Sequence, residues 1–156
     1  LVAATPITVS GSKMQHLMER VDKEHLVDLL ALPKLVNFAE RGDFTAPEVG
    51  AYLRQELAHF DLNEYSALVL GCTHFNYFKD TLRAIVPPGM RFVDGNEGTV
   101  RELTRRLEER ADLAPAGNIT ETGMVRYFFS GREVCGEPDL ARLEKMLVRL
   151  GQMRQL

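Results

Sequence analysis

A thiol, a hydroxyl and an imidazole follow one another at the end of an apolar run. In LVLGCTHFNYF, residues 68–78, the run Leu68-Val69-Leu70 stops at Gly71, and Cys72, Thr73 and His74 come next. A thiolate is a nucleophile and a base, an imidazole exchanges protons near neutral pH, and a hydroxyl donates a hydrogen bond to an anion. Phe75, Phe78, Leu82 and Ile85 then recur on one face of an expected helix, which puts Cys72 near a helix N-terminus. The partial positive charge of such an end favours a thiolate, and its free amides suit a carboxylate or phosphate. Other readings of the same residues stay open. A cysteine closing a buried strand is commonly a small, inert core residue. Cys72 and His74 also resemble a protease-like nucleophile pair, or half of a zinc site that lacks a second cluster of ligands. His16, His25 and His59 fall on helices or their ends and read as solvated, and Cys135, between Val134 and Gly136, reads as structural.

Such a turn needs a strand beneath it and helices around it. Residues 67–70 are continuously apolar, as in a parallel strand covered on both faces. Residues 1–5, 26–30, 90–93 and 125–129 are further strand candidates. Helices are expected over residues 12–21, over residues 34–41 with Gly42 as the stop, and after Thr45-Ala46-Pro47-Glu48, which has the pattern of a capping box with proline near the helix start. Val49, Leu53, Leu57 and Phe60 give that helix its apolar face. Val100, Leu103 and Leu107 mark a late helix, and Leu140, Leu143, Leu147 and Leu150 a terminal one. Residues 111–118 read as a loop, within a linker over 111–124. Alternating strands and helices imply an α/β fold with a mostly parallel sheet flanked by helices, whose ligands sit beyond the carboxyl ends of the strands.

The 156 residues are 45% hydrophobic and 26% charged, with a net charge of -3. A chain of this length buries roughly two-thirds of its unfolded surface. No basic face is concentrated enough for nucleic acid, and no apolar run approaches the ~20 residues of a membrane span. Neither nucleic acid nor membrane is therefore expected as a partner. Two cysteines make no disulfide framework, so a reduced, cytoplasmic setting is expected and Asn118-Ile119-Thr120 carries no glycan. The opening LVAATPITV, a strand-like run with no Met, suggests a sequence that continues upstream.

Beyond its own chemistry, LVLGCTHF resembles the C-terminal cysteine motif of the glutamate racemases, within the wider aspartate/glutamate racemase group. AATPITV at 3–9, LPKLVNFAERG at 32–42, FVDGNEGTVREL at 92–103 and VRYFFSG at 125–131 resemble further segments of that family in the same order. Asn76 stands where the family often has proline. The resemblance implies an isomerase that interconverts L- and D-glutamate with two cysteines, one on each face of the α-carbon, and with no cofactor or metal. It implies Cys72 as one acid/base thiol, Thr73 on the substrate, His74 in support of the thiol or substrate, Glu40 orienting His74, and Thr5 and Thr8 facing the substrate. D-glutamate for peptidoglycan is the implied product, glutamate the implied small-molecule partner, and a homodimer the implied assembly.

The family's first cysteine, its Asp-Ser and Pro-Tyr-Gly motifs and its Asn-Thr pair have no counterpart here, and Cys135 does not sit in the first cysteine's context. Residues 1–92 are therefore expected to form one racemase domain, with residues 93–156 completing a second, absent one and leaving the strand at 125–129 without its sheet. A chain of this kind is expected not to racemise alone. An aspartate or hydantoin racemase and a non-catalytic α/β module for a small anion are the competing functions.

Overall fold

A computed structural model describes residues 1–110, 125–154 and 156. The expected loop at 111–118 and linker at 111–124 lie outside the described residues. Two compact units are present, one made of Leu1–Gly95 with Met146–Leu156, the other of Asn96–Lys145.

The first unit is built on four parallel strands, β1 (Val2–Ala4), β2 (Leu29–Ala31), β3 (Ala67–Leu70) and β4 (Arg91–Asp94), in the order β2-β1-β3-β4. Chain order and sheet order part company between β1 and β3. The chain leaves β1 for β2 on one side, then passes back over β1 to reach β3. In open α/β sheets that reversal opens the crevice where ligands bind. Helices α1 (Pro6–Val9) and α2 (Ser12–Val21) link β1 to β2, and α3 (Pro33–Arg41) and α4 (Pro47–Leu57) link β2 to β3. A six-residue 3-10 segment, Thr73–Phe78, and α5 (Lys79–Arg83) link β3 to β4.

The core lies between the sheet and these helices. Leu35, Val49, Leu53, Leu68, Phe75 and Phe78 are fully buried in it. Each large apolar side chain so buried contributes about 1.5–3 kcal/mol relative to an exposed one. Along β3, Leu68 and Leu70 are buried while Ala67 and Val69 are half-buried, so the strand is sealed on one face and partly covered on the other. The edge strand β4 leaves Val93 exposed.

Several local expectations change. The strand expected at 26–30 begins only at Leu29, because the Asp22 carboxylate accepts the amides of Leu26 and Val27 and takes them out of strand pairing. The capping box at 45–48 does not form. Pro47 takes the first helical position, where its missing N–H costs nothing, so Ala46 is the N-cap without a side-chain bond and Thr45 lies one residue too early. The helix expected after Gly71 is two pieces. Phe75, Asn76, Tyr77 and Phe78 are all buried, which no one-faced α-helix permits, and the chain winds as a 3-10 segment before α5.

In the second unit, α6 (Asn96–Glu109) carries ion pairs from Glu102 to Arg105 and Arg106, and leaves Val100 and Leu103 exposed. The strand expected at 125–129 is only β5 (Phe128–Phe129), and it pairs antiparallel with β6 (Arg132–Glu133). Ser130 and Gly131 both have positive φ, 49° and 82°, as a two-residue hairpin turn requires. Val125 and Phe128 stay exposed. The terminal helix α7 (Glu137–Met153) begins in this unit, and its last turns belong to the first, where Met146 and Leu150 pack on the core and Met153 is buried.

Candidate active site

The two central strands end together. Gly71 donates its amide to the Ala3 carbonyl at 2.8 Å, and a Cβ on Gly71 would lie 3.1 Å from that oxygen and 3.2 Å from Ala4 Cβ. Glycine lets β3 close this tightly on β1, where a Cβ would force its neighbours to give by a few tenths of an ångström. The chain then leaves β1 through Thr5 and β3 through Cys72, so both residues emerge at the carboxyl edge beside the crevice.

Cys72 is the N-cap of the 3-10 segment and is half-buried, packed against the core. Its Sγ lies 3.7 Å from His74 Nδ1. The other ring nitrogen, Nε2, lies 2.7 Å from Glu40 Oε1. A carboxylate on one nitrogen fixes the tautomer and ring plane of an imidazole and leaves the other nitrogen to serve the thiol. Glu40 reaches this place because Pro33 starts α3 directly after β2, and α3 packs against the 3-10 segment. Gly42 in the left-handed conformation, φ 73°, ends α3 just beyond it. Phe75 and Phe78, three apart and fully buried, pin the segment from below. The Asn76 amide donates to the Thr73 carbonyl at 3.2 Å and closes the turn from inside.

Of the residues expected at the site, Cys72, His74 and Glu40 are brought into one line of contacts. Thr73 is exposed at the start of the segment. Thr5 and Thr8 are brought to each other, with hydroxyl oxygens 2.9 Å apart, Pro6 at the first position of α1 holding the turn between them. A groove of ≈ 600 Å³ starts at Thr8 and runs along α1 and α2, with Lys13 on its wall and Ile7 and Leu17 among its apolar lining.

Three further features escape a reading of the sequence. Lys79 Nζ meets Asp94 Oδ2 at 2.9 Å, tying the start of α5 to the end of β4. Asp80 meets Arg149 at 2.6 Å, and Arg149 also donates to the Tyr77 carbonyl. Only the strand end at Asp94 left a local signal. Arg149 and Asp80 are 69 residues apart, and nothing in either neighbourhood names the other. His16, His25 and His59 are exposed, as is Cys135. Among the described residues no group of three or more His, Cys, Asp or Glu is placed to hold a metal ion, and no helix is long and apolar enough to cross a membrane.

This thiol–imidazole–carboxylate line at a strand end can be set beside known proteins. No family model matches the chain. Over all 156 residues it is 51% identical to a glutamate racemase of Campylobacter curvus, covering 57% of that protein, and 45% identical to one of Campylobacter concisus, covering 58%. A solved glutamate racemase of Thermus thermophilus, in complex with beta-chloro-D-alanine, superposes with a TM-score of 0.59 at 28% identity over 74% of this chain and 42% of that one. The chain thus spans a little under three-fifths of the length of the curated relatives it matches, and the parallel sheet flanked by helices is the fold of a glutamate racemase domain. Over all 156 residues the chain is similar to the glutamate racemases of these two Campylobacter species.

Proposed function

We propose that this chain carries one of the two acid/base thiols of a cofactor-independent glutamate racemase, and that Cys72 is that thiol. The observation that supports the reading is the line Cys72 Sγ, His74 Nδ1, His74 Nε2, Glu40 Oε1, with separations of 3.7 and 2.7 Å, at the carboxyl edge of a central strand. In the proposed reaction, the Cys72 thiolate takes the α-proton of glutamate and becomes a thiol, leaving the electron pair on the α-carbon. A second thiol on the opposite face returns a proton to that carbon and becomes a thiolate. Inversion follows because the proton leaves one face and arrives at the other.

His74, steadied by Glu40, supports Cys72 as the proton moves. Thr73 and the Thr5–Thr8 hydroxyl pair hold the substrate's carboxylate or amino group. The same reading divides the chain into residues 1–92, the domain bearing Cys72, and residues 93–156, a segment completing the domain of the opposing cysteine. It assigns glutamate as substrate, D-glutamate for peptidoglycan as product, a cytoplasmic setting and a homodimer. Because the relatives are longer and the opposing thiol has no counterpart in this sequence, inversion needs a complementary portion.

The test is NMR of L-glutamate with the chain in D2O, following the α-proton signal, with and without the complementary portion of a longer relative. Decay of the signal that Cys72→Ala stops is the expected result. No decay in either mixture, with the chain folded, overturns the reading.

A further inference from the structure

Arg149 is 7% exposed, and a guanidinium is costly to bury unless its donors are used. Here they are used at one place. Its Nε donates to the Tyr77 carbonyl at 2.8 Å, and a terminal nitrogen donates to Asp80 Oδ1 at 2.6 Å. Tyr77 lies in the last turn of the 3-10 segment, and Asp80 in the first turn of α5. The fork therefore spans the joint between the two pieces. Arg149 thereby brings a donor to a carbonyl in the last turn of the 3-10 segment.

From that joint a run of ring contacts leads back to the site. The Arg149 guanidinium lies 5.7 Å from the Phe44 ring centre, Phe44 stacks on Tyr77 at 5.0 Å, and Tyr77 meets the His74 ring edge-on at 6.4 Å. All these residues belong to the first unit.

We propose that Arg149 is a positioning residue for the Cys72–His74 pair. It fixes the joint behind the 3-10 segment, and with it the Tyr77 ring against which His74 rests. The proposal rests on the reading of Cys72 as the reacting thiol. A planar fork suits this task better than an ammonium, because one group must serve a carbonyl and a carboxylate at once.

The test is a double-mutant cycle read on the thiol itself. With Cys135→Ser, Cys72 is the single thiol in the chain. Its rate of alkylation by iodoacetamide at pH 7 is measured with Arg149 intact and with Arg149→Met, in the presence of His74 and in a His74→Asn background. If Arg149 acts through His74, Arg149→Met slows alkylation by about two- to tenfold when His74 is present and leaves the rate unchanged when it is absent. The same fold loss in both backgrounds shows a general loosening and overturns the proposal, as does no change in either.

Should the methionine variant fail to fold by circular dichroism, Arg149→Lys decides in its place. It keeps the charge but not the fork, and a smaller loss confined to the His74 background is expected. Equal losses, or none, overturn the proposal there too. Coupling without α-proton exchange would overturn the racemase reading and leave the positioning role intact. Exchange without coupling would do the reverse.

Discussion

Glu40 Oε1 stands 2.7 Å from His74 Nε2, across 34 residues of chain, and so turns the opposite nitrogen of the ring toward Cys72. The contact is half in solvent, so its contribution to stability is small. On the proposed function its value lies in orienting His74. Glu40→Ala is expected to lower the rate of α-proton exchange from glutamate by about 10- to 100-fold, as removing the carboxylate behind a metal-bound histidine does, with KM little changed. Glu40→Gln, which keeps an acceptor oxygen, should retain more of the rate. NMR exchange in D2O at several glutamate concentrations reads both values. A change confined to KM would mean that Glu40 meets the substrate rather than the histidine.

Gly71 is where sheet and site constrain each other. A methyl group there would press on the Ala3 carbonyl at 3.1 Å, and that atom is fixed backbone of the neighbouring strand. Gly71→Ala is expected to cost about 1–3 kcal/mol, as overpacking does, measured by urea unfolding. Because the strain falls beside Cys72, exchange in the folded variant should fall as well. Full exchange with full stability would show that β1 and β3 part without consequence.

The strand beneath the site could be read from the sequence, because four apolar residues before a glycine carry the same message locally and globally. Residues 67–70 form β3 with no shift at either end, and the helix over 12–21 is also as expected. Where a side chain captured a backbone amide or a proline removed one, reading failed. Asp22 delayed β2 by capturing Leu26 and Val27, and Pro47 moved the cap of α4 to Ala46. The 3-10 winding after Cys72 was hidden because Phe75 and Phe78 also suit an α-helical face. The hairpin at 128–133 had a legible signal in Ser130-Gly131, a turn pair between two short extended runs. At the site, adjacency made Cys72 and His74 visible together. The Arg149–Asp80 pair was not, since distant partners leave no periodic trace.

Leu68 is fully buried in the middle of the sheet, whereas Ile7 is 81% exposed on α1. Leu68→Ala should cost about 2–5 kcal/mol, through lost burial and the cavity left behind. Ile7→Ala should stay within about 0.5 kcal/mol. Urea unfolding with unchanged slope is the measurement. Near-equal midpoints for the two variants would mean that the core around β3 is not packed as described.

Tyr65 gives the fold a pH dependence away from the site. Its hydroxyl donates to Asp28 Oδ2 at 2.6 Å, tying the approach to β3 to the approach to β2. That bond, foremost, holds the proton on the phenol and pushes its pKa up to about 12, from 10.0. The folded state thus binds the proton more tightly than the unfolded chain does. The stabilisation is fully present below pH 10 and is lost as pH rises from about 10 to about 12. Absorbance titration near 295 nm should show one tyrosine ionising near pH 12, and Tyr65→Phe should remove it. The phenylalanine variant should also lose less stability than the parent between those pH values. An unchanged late ionisation in the variant would place the late phenol elsewhere, with Tyr52, also raised by burial, the first to test.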